Sequence, residues 1–227
     1  MVSTSMMISV GLMVLVAAVL LVSSFKRAPG IGVIAALVLI AVGTWVSSAG
    51  LAWLGFSAPR SWGMTVVWAL LLGLILQLLS TLVLEPLADR ATRSTTDHSA
   101  FEGLRGNLKN YVLMLLMVWV VVVFAEEIIF RGYMMGEIAR LIGTSNLALF
   151  INLALSSVLF GLAHWYQGRS GALSTGIIGA ALGLLFILTG FNIWLPILTH
   201  GFIDTIGLFM IYINADKSLK ERVRIPG

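Results

Sequence analysis

The sequence contains no cysteine and little charge. Of its 227 residues none is Cys, and only 11% are Asp, Glu, Lys or Arg. The absence of cysteine excludes disulfides, thiolate metal ligands and a cysteine nucleophile. A soluble domain is about 25% charged and about 45–50% apolar, whereas this chain is 59% hydrophobic. A soluble core of this size could not bury so much apolar surface, so we expect lipid to be the solvent for most of the chain.

A cleaved signal peptide and a nucleic-acid surface are both disfavoured. Residues 1–5 contain no Lys or Arg, so the first apolar stretch lacks the basic region of a signal peptide and is expected to be a retained span. The net charge is +4, but the basic residues lie in predicted loops, which is typical of charge that sets membrane topology. We therefore expect a lipid bilayer, and no nucleic acid, among the partners.

Long apolar stretches predict a helical membrane protein. A spanning helix needs about 20 mostly apolar residues. Seven stretches qualify, near residues 6–24, 31–55, 62–84, 110–140, 145–166, 172–190 and 193–213. The longest polar stretch, residues 85–109, has too few apolar residues to span. The predicted fold class is all-α, a polytopic integral membrane helical bundle with about seven transmembrane helices.

One integral-membrane domain over residues 1–227 is the simplest organisation, because no repeat or low-complexity tract marks a second unit. We divide it into N-terminal spans with a polar cytoplasmic loop, residues 1–109, then motif-bearing helices, residues 110–214, and a basic cytoplasmic tail, residues 215–227.

The basic residues predict the orientation in the membrane. With seven spans, one set of loops contains Lys26, Arg27, Arg90, Arg93, Arg105, Lys109, Arg169, Lys217, Lys220, Arg222 and Arg224. The other set contains only Arg60 and Arg140. Because Lys and Arg concentrate in cytoplasmic loops, we expect the N-terminus outside and the C-terminus in the cytoplasm, in a bacterial inner membrane.

Three apolar segments contain ionisable side chains where a membrane helix normally has none. These residues are Glu126, Glu127 and Arg131, then His164, then His200 and Asp204. Each ionisable group at the centre of a bilayer costs roughly 2.5–3.5 kcal/mol even on the more lenient scale. Six of them on three separate segments therefore indicate a functional site.

Helical spacing predicts different roles for the two glutamates. Arg131 follows Glu127 by four residues, which is the ion-pair spacing of a helix, so these two side chains are expected to neutralise each other. Glu126 points about 100° away from Glu127 on an α-helix, so the two carboxylates are not expected to face one small site. Glu126 has no partner on its own helix, so its partner must lie on another helix. We expect Glu126 to act as a general base.

The histidines are the expected partners on the other segments. His164 would face Glu126, with Phe160 one turn earlier on the same face. His200 and Asp204 are four residues apart, so Asp204 is expected to accept a proton from one ring nitrogen of His200 and fix its tautomer. A Glu and a His converging on one water would make a nucleophile, and a second His would stabilise the oxyanion. This is the working set of a hydrolase inside the membrane.

The ordered segments resemble the CAAX-protease and bacteriocin-processing family of intramembrane endopeptidases, which includes the Ras-converting endopeptidase. The family pattern is two Glu, three residues and Arg, then Phe, three residues and His, then His, three residues and Asn or Asp. Here it is found at Glu126, Glu127, Arg131, Phe160, His164, His200 and Asp204. The similarity covers roughly residues 111–214, and the first three spans show no such resemblance.

The resemblance implies a polytopic α-helical fold and a glutamate-dependent peptidase that cleaves a peptide or membrane-protein substrate near the cytoplasmic face. Glu126 would be the general base together with His164, and His200 with Asp204 would form the oxyanion site. The eukaryotic relative has Asn where this chain has Asp204. An ionised Asp cannot donate a hydrogen bond, so His200 would be the oxyanion donor here. The orienting residues would be Glu127, Arg131 and Phe160.

The resemblance leaves metal dependence open. The family has been described as metal-dependent, and Glu126, His164 and His200 would form a three-ligand zinc set. We favour a site without metal or other cofactor, because a Glu–His pair is sufficient to activate water.

Other functions fit part of this pattern. A non-catalytic member would bind a bacteriocin or a partner membrane protein, for example in immunity, but the complete motif set favours catalysis. A proton-coupled transporter would use Glu126 and the histidines as a relay, but the N-terminal half has no matching polar motif, as an inverted repeat might give. A serine nucleophile is disfavoured because Ser157 lies two turns from His164. His98, in the polar loop, is expected to be merely solvated.

Overall fold

The computed structural model of the chain describes residues 4–46 and 54–216, and these form seven long helices. The helices are α1 Thr4–Phe25, α2 Pro29–Val46, α3 Trp62–Thr92, α4 Leu108–Ile142, α5 Asn146–Ala163, α6 Gly168–Leu188 and α7 Trp194–Tyr212. Short 3₁₀ turns occupy Ser99–Leu104 and Trp165–Gln167. Within the described ranges there is no strand, which confirms the all-α fold class.

The chain is an integral membrane protein. Among the described residues, every helix except α2 is long and apolar enough to cross a membrane, which makes six spans. The second predicted span, residues 31–55, coincides with α2 as far as Val46. Residues 47–53 lie outside the described part of the chain, as does the predicted basic tail from residue 217 onward. Six of the seven predicted spans are therefore confirmed.

Helix α3 is longer than predicted, and its extension corrects the interpretation of the polar loop. It continues to Thr92 instead of ending near residue 84, because its last two turns pack against α6. The Ser170 hydroxyl of α6 donates a hydrogen bond to the Asp89 carboxylate of this extension. In the same region His98 Nε2 lies 3.3 Å from Glu85 Oε2. The expectation that His98 is merely solvated is therefore wrong, since the ring is paired with a buried carboxylate.

Helices α4 and α5 form an antiparallel hairpin. Gly143 ends α4 with a φ of 82°, a left-handed conformation that glycine adopts readily. Ser145 begins α5, and its hydroxyl accepts a hydrogen bond from the Ala148 N–H at 3.3 Å, as expected of an N-cap serine. This tight turn fixes which levels of the two helices face each other.

Glycines bring α5 and α6 into close contact. A Cβ added at Gly161 would lie 2.5 Å from the Ala172 carbonyl oxygen and 3.0 Å from Gly176 Cα. A Cβ at Gly179 would lie 2.7 Å from the Phe160 ring. Small residues that allow two membrane helices to approach are a common packing device. Gly161 of α5 and Gly179 of α6 are therefore packing positions between these two helices.

Gly161→Ala is expected to destabilise the protein. The added methyl group would push α5 away from the α6 backbone, and overpacking of this kind costs about 1–3 kcal/mol. Gly11→Ala is the matched control, because a Cβ at Gly11 in the middle of α1 meets nothing within 4 Å. Thermal unfolding of both variants in detergent should show a lowered midpoint for Gly161→Ala alone. Equal midpoints for the two variants would contradict the close contact.

The loops that carry most of the basic residues meet at one end of the bundle. Arg27 Nη1 lies 3.7 Å from Asp97 Oδ2, and the Asp97 N–H donates to the Gln167 carbonyl at 2.8 Å. Arg105 binds Asp216 through two hydrogen bonds of 2.8 Å each, beyond the end of α7. These contacts place the first, third and fifth loops and the end of α7 on the same side, which we call the basic end.

Candidate active site

The two glutamates and Arg131 lie in α4, at the start of a π-helical segment, Ile128–Met135. Arg131 Nη1 lies 2.9 Å from Glu127 Oε1, and both side chains are buried, at 1% and 0% exposure. Arg131 Nη2 donates to the Gly179 carbonyl of α6 at 2.9 Å, and its Cζ lies 4.5 Å from the centre of the Phe160 ring of α5. Arg131 therefore forms the ion pair that its spacing predicts and also joins α4 to two other helices.

Glu127 also binds His200, which the sequence interpretation missed. His200 Nδ1 lies 2.7 Å from Glu127 Oε1 and donates its proton to that carboxylate. Asp204 Oδ2 lies 3.6 Å from the other nitrogen, Nε2, beyond hydrogen-bond distance. The expectation that Asp204 fixes the His200 tautomer is therefore corrected, and Glu127 has that contact. No spacing rule could reveal it, because the contact depends on how α4 and α7 pack.

His164 is oriented by its own helix. It ends α5, and its Nδ1 lies 2.8 Å from the Phe160 carbonyl oxygen one turn earlier. A carbonyl oxygen only accepts hydrogen bonds, so Nδ1 carries the proton. The Nδ1 atoms of His164 and His200 are both occupied by hydrogen bonds. Their Nε2 atoms both face the space beside Glu126 on α4.

Glu126 lies between these two Nε2 atoms. Its Oε1 is 3.7 Å from His164 Nε2, and its Oε2 is 3.9 Å from His200 Nε2. Both distances exceed a direct hydrogen bond and match a gap that a shared water would bridge. Glu126 and Glu127 contact different nitrogens of the His200 ring and do not face the same space, as their divergence on an α-helix predicts. His200 lies between them and presents one ring nitrogen to each.

The depth of the three segments follows from the hairpin and from α7. Glu126 lies 16 residues before the end of α4, and His164 lies 18 residues after the start of α5, so the turn between them brings the two to one level. At the start of α7 the Ile193 N–H donates to the Gly55 carbonyl at 3.1 Å and Ile193 is fully buried, and His200 Nε2, two turns further on, lies 3.9 Å from Glu126 Oε2. His200 is therefore at the level of Glu126.

A cavity of about 510 Å³ opens onto these groups. Its polar part contains Glu126, His164, His200 and Asp204, and Tyr166 and Gln167 line the part near the basic end. Its apolar lining includes Val33, Ile34, Met114, Met117, Val121 and Ile203. The volume is within the range of about 300–1,000 Å³ typical of ligand pockets. The arrangement therefore joins a small polar site to an apolar chamber.

Neither a metal set nor a serine nucleophile is assembled in the described ranges. No group of three or more His, Cys, Asp or Glu there is arranged to hold a metal ion. In the trio that the sequence offers as zinc ligands, Glu126 lies 3.7 and 3.9 Å from the Nε2 atoms of His164 and His200. The Ser157 hydroxyl donates to the Leu153 carbonyl of its own helix at 2.6 Å, so it is not hydrogen-bonded to His164.

Residues 108–206 match a protein-family model described as Rce1-like, type II CAAX prenyl endopeptidase Rce1-like. The matched region contains all three motifs and confirms the resemblance drawn from them. It leaves α1, α2 and α3 outside the match. Neither the curated proteins nor the solved structures that were searched gave a match.

Proposed function

We propose that this chain, which contains an Rce1-like domain of the type II CAAX prenyl endopeptidases, hydrolyses a peptide bond with a water activated by Glu126 and His164. The observation that carries the proposal is the position of the Glu126 carboxylate, 3.7 Å and 3.9 Å from two Nε2 atoms. A carboxylate and two imidazoles around one water-sized gap can hold a nucleophile and a substrate carbonyl in reach of each other.

In the proposed reaction, Glu126 takes a proton from the water as the water oxygen attacks the carbonyl carbon. His164 Nε2 accepts the second hydrogen bond of that water, which fixes its direction. The proton held by Glu126 then passes to the leaving nitrogen as the C–N bond breaks, so that one water is consumed and a new carboxylate and a new amine are released.

The oxyanion of the tetrahedral intermediate is assigned to His200. Its Nδ1 proton binds Glu127, so only Nε2 can reach the substrate. Three carboxylates, Glu127, Glu126 and Asp204, lie within 3.9 Å of the ring and balance the charge of an Nε2 proton that is donated to the oxyanion. A preorganised donor of this kind favours the transition state over the ground state.

The substrate enters, in this proposal, from the basic end, which we assign to the cytoplasm. The basic end contains Lys26, Arg27, Arg90, Arg93, Arg105, Lys109 and Arg169, and the opposite end contains Arg60 and Arg140. The four remaining basic residues of the predicted set, Lys217, Lys220, Arg222 and Arg224, lie outside the described residues. The excess favours a cytoplasmic basic end and an outside N-terminus. The apolar chamber next to Glu126 fits an apolar substituent on the peptide.

The proposal is tested by incubating the purified protein in detergent with a peptide library, in which each peptide is present with and without a prenyl group on cysteine. Mass spectrometry should detect internal cleavage products. Preference for the prenylated peptides would assign the apolar chamber to the prenyl group, and equal cleavage would assign it to side chains of the peptide.

His200→Ala is expected to lower turnover about a hundredfold to a thousandfold, the loss typical of removing one oxyanion donor. Asp204→Asn should lower turnover much less, because Asp204 lies 3.6 Å from Nε2 and acts through charge rather than through a hydrogen bond. The measurement is kcat for both variants on the best peptide of the library.

Equal losses in the two variants would contradict this division and make Asp204 a group that contacts the substrate or a metal. The same assay with a chelator provides the second control. Cleavage by the wild-type protein should persist with chelator present, and loss of activity that zinc restores would overturn the metal-free mechanism.

A further inference from the structure

A second cavity, of about 490 Å³, lies at the basic end of the bundle. We call it the arginine pocket. Its lining consists of Ser24, Phe25, Arg27, Thr92, Arg93, Ser94, Trp165, Tyr166, Gly168 and Arg169. Among these described residues there are three guanidinium groups and three aliphatic hydroxyls, and no Asp or Glu. Guanidinium groups and hydroxyls can all donate hydrogen bonds to an anion, and Arg binds phosphate oxygens through two parallel hydrogen bonds.

The backbone places two of these arginines at the ends of helices in an uncommon conformation. Arg27 follows α1 with a φ of 56°, and Arg93 follows α3 with a φ of 50°. Glycine or asparagine normally occupies such left-handed positions after a helix. An unfavourable backbone conformation that persists at a pocket is a reason to look for a function there. Here both left-handed residues bring a cation to the same cavity.

The pocket wall also contains an unsatisfied donor. Ser24 is fully buried, and in the described part of the chain its Oγ has no hydrogen-bond partner. Buried hydroxyls are almost always hydrogen-bonded in native proteins. An acceptor that entered the pocket would supply the missing partner.

Carboxylates of the protein neutralise the three arginines of the pocket only weakly. Arg27 lies 3.7 Å from Asp97, and its side chain remains 72% exposed. For Arg93 and Arg169, no carboxylate of the described residues lies within ion-pair distance, and both side chains are exposed. Three cations that face one cavity repel each other unless an anion joins them.

The position of the pocket identifies the anion. It lies where α1 and α3 end and α6 begins, and all three helices are long and apolar enough to span a membrane, so we expect the pocket near the lipid headgroups. Phe25 and Trp165 form its apolar side, with ring centres 5.3 Å apart, and Trp is typical of this interface. We propose that the arginine pocket binds the phosphate of an anionic lipid, with the glycerol and upper acyl chains against Phe25 and Trp165. Tyr166 lines this pocket and the catalytic cavity, so the bound lipid would border the site.

The test measures lipid binding directly, so it is independent of peptide cleavage. Phosphatidylglycerol and phosphatidylcholine of equal chain length are titrated into the purified protein in detergent, and bound lipid is counted by native mass spectrometry. The wild-type protein should retain one phosphatidylglycerol in preference to phosphatidylcholine. The double variant Arg93→Gln with Arg169→Gln should weaken that binding about tenfold or more, since each basic residue near a lipid surface contributes about 1 kcal/mol.

The matched control is Arg90→Gln with Lys109→Gln. It removes two exposed positive charges from the same end of the bundle, and neither residue lines the pocket. Retained binding in the control, together with weakened binding in Ser24→Ala, would support the site. Equal weakening in the two double variants would show general surface attraction and overturn it. Competition by inorganic phosphate at concentrations comparable to the lipid would assign the pocket to a free anion and overturn the lipid.

Discussion

Glu126→Gln is expected to abolish peptide cleavage and leave the fold intact. Gln has the shape of Glu but cannot take a proton from water, and loss of a general base typically lowers the rate about a hundredfold to ten-thousandfold. The side chain has no direct hydrogen bond to either histidine, because its oxygens lie 3.7 and 3.9 Å from them. The change therefore removes chemistry and little packing. Turnover should fall, and the thermal unfolding midpoint should stay constant. Both quantities are measured on the same preparation.

Glu102→Gln is the control for Glu126→Gln. Glu102 is an exposed carboxylate at the basic end, in a surface ion pair with Arg105, and its amide variant should cleave like the wild-type protein. If Glu126→Gln had full activity, the water-activation mechanism would be excluded. A large fall in its unfolding midpoint would instead assign Glu126 a structural role.

Arg131→Ala is expected to have the largest effect on stability. It leaves Glu127 fully buried without its cation, and breaking a buried ion pair by removing one partner costs about 3–5 kcal/mol. The change also removes the hydrogen bond to the Gly179 carbonyl and the contact with Phe160. Thermal unfolding in detergent should show a much lower midpoint, and the yield of folded protein should fall.

The double variant Glu127→Gln with Arg131→Gln separates charge from packing. It removes both charges together, so no carboxylate is buried without a partner, and it should unfold at a higher temperature than Arg131→Ala. Its turnover should still be low, because His200 loses the anion on its Nδ1. A double variant as unstable as Arg131→Ala, or more so, would argue that the two charges do not stabilise each other.

The parts of this structure that depend on one helix were predictable from the sequence. The Glu127–Arg131 pair follows from a spacing of four residues, and six spans follow from apolar length. Helix α3 exceeded its prediction because its polar last turns pack against α6, which apolar length alone does not reveal. The pairing of His98 is hidden for the same reason, since its partner Glu85 lies on that extension.

The contacts between helices are harder to predict from the sequence. Counting depth from the ends of the predicted spans places His164 and Glu126 at different levels, on the order of 10–15 Å apart at 1.5 Å per residue. Helix α4 has 35 residues and α5 has 18, so their far ends cannot be level. Counting from the turn at Gly143 would have brought Glu126 and His164 together. The contact between Glu127 and His200, and the use of the Gly179 carbonyl by Arg131, have no signal in residue type or spacing.

The most direct measurement is peptide hydrolysis in water enriched in oxygen-18 by the wild-type protein and by Glu126→Gln, in the same detergent and with the same library. We expect internal cleavage by the wild-type protein, with one heavy oxygen in each new carboxylate, and no such product from Glu126→Gln. Labelled products at equal rates from both proteins, or no cleavage of any prenylated or unprenylated peptide by the wild-type protein, would contradict this expectation.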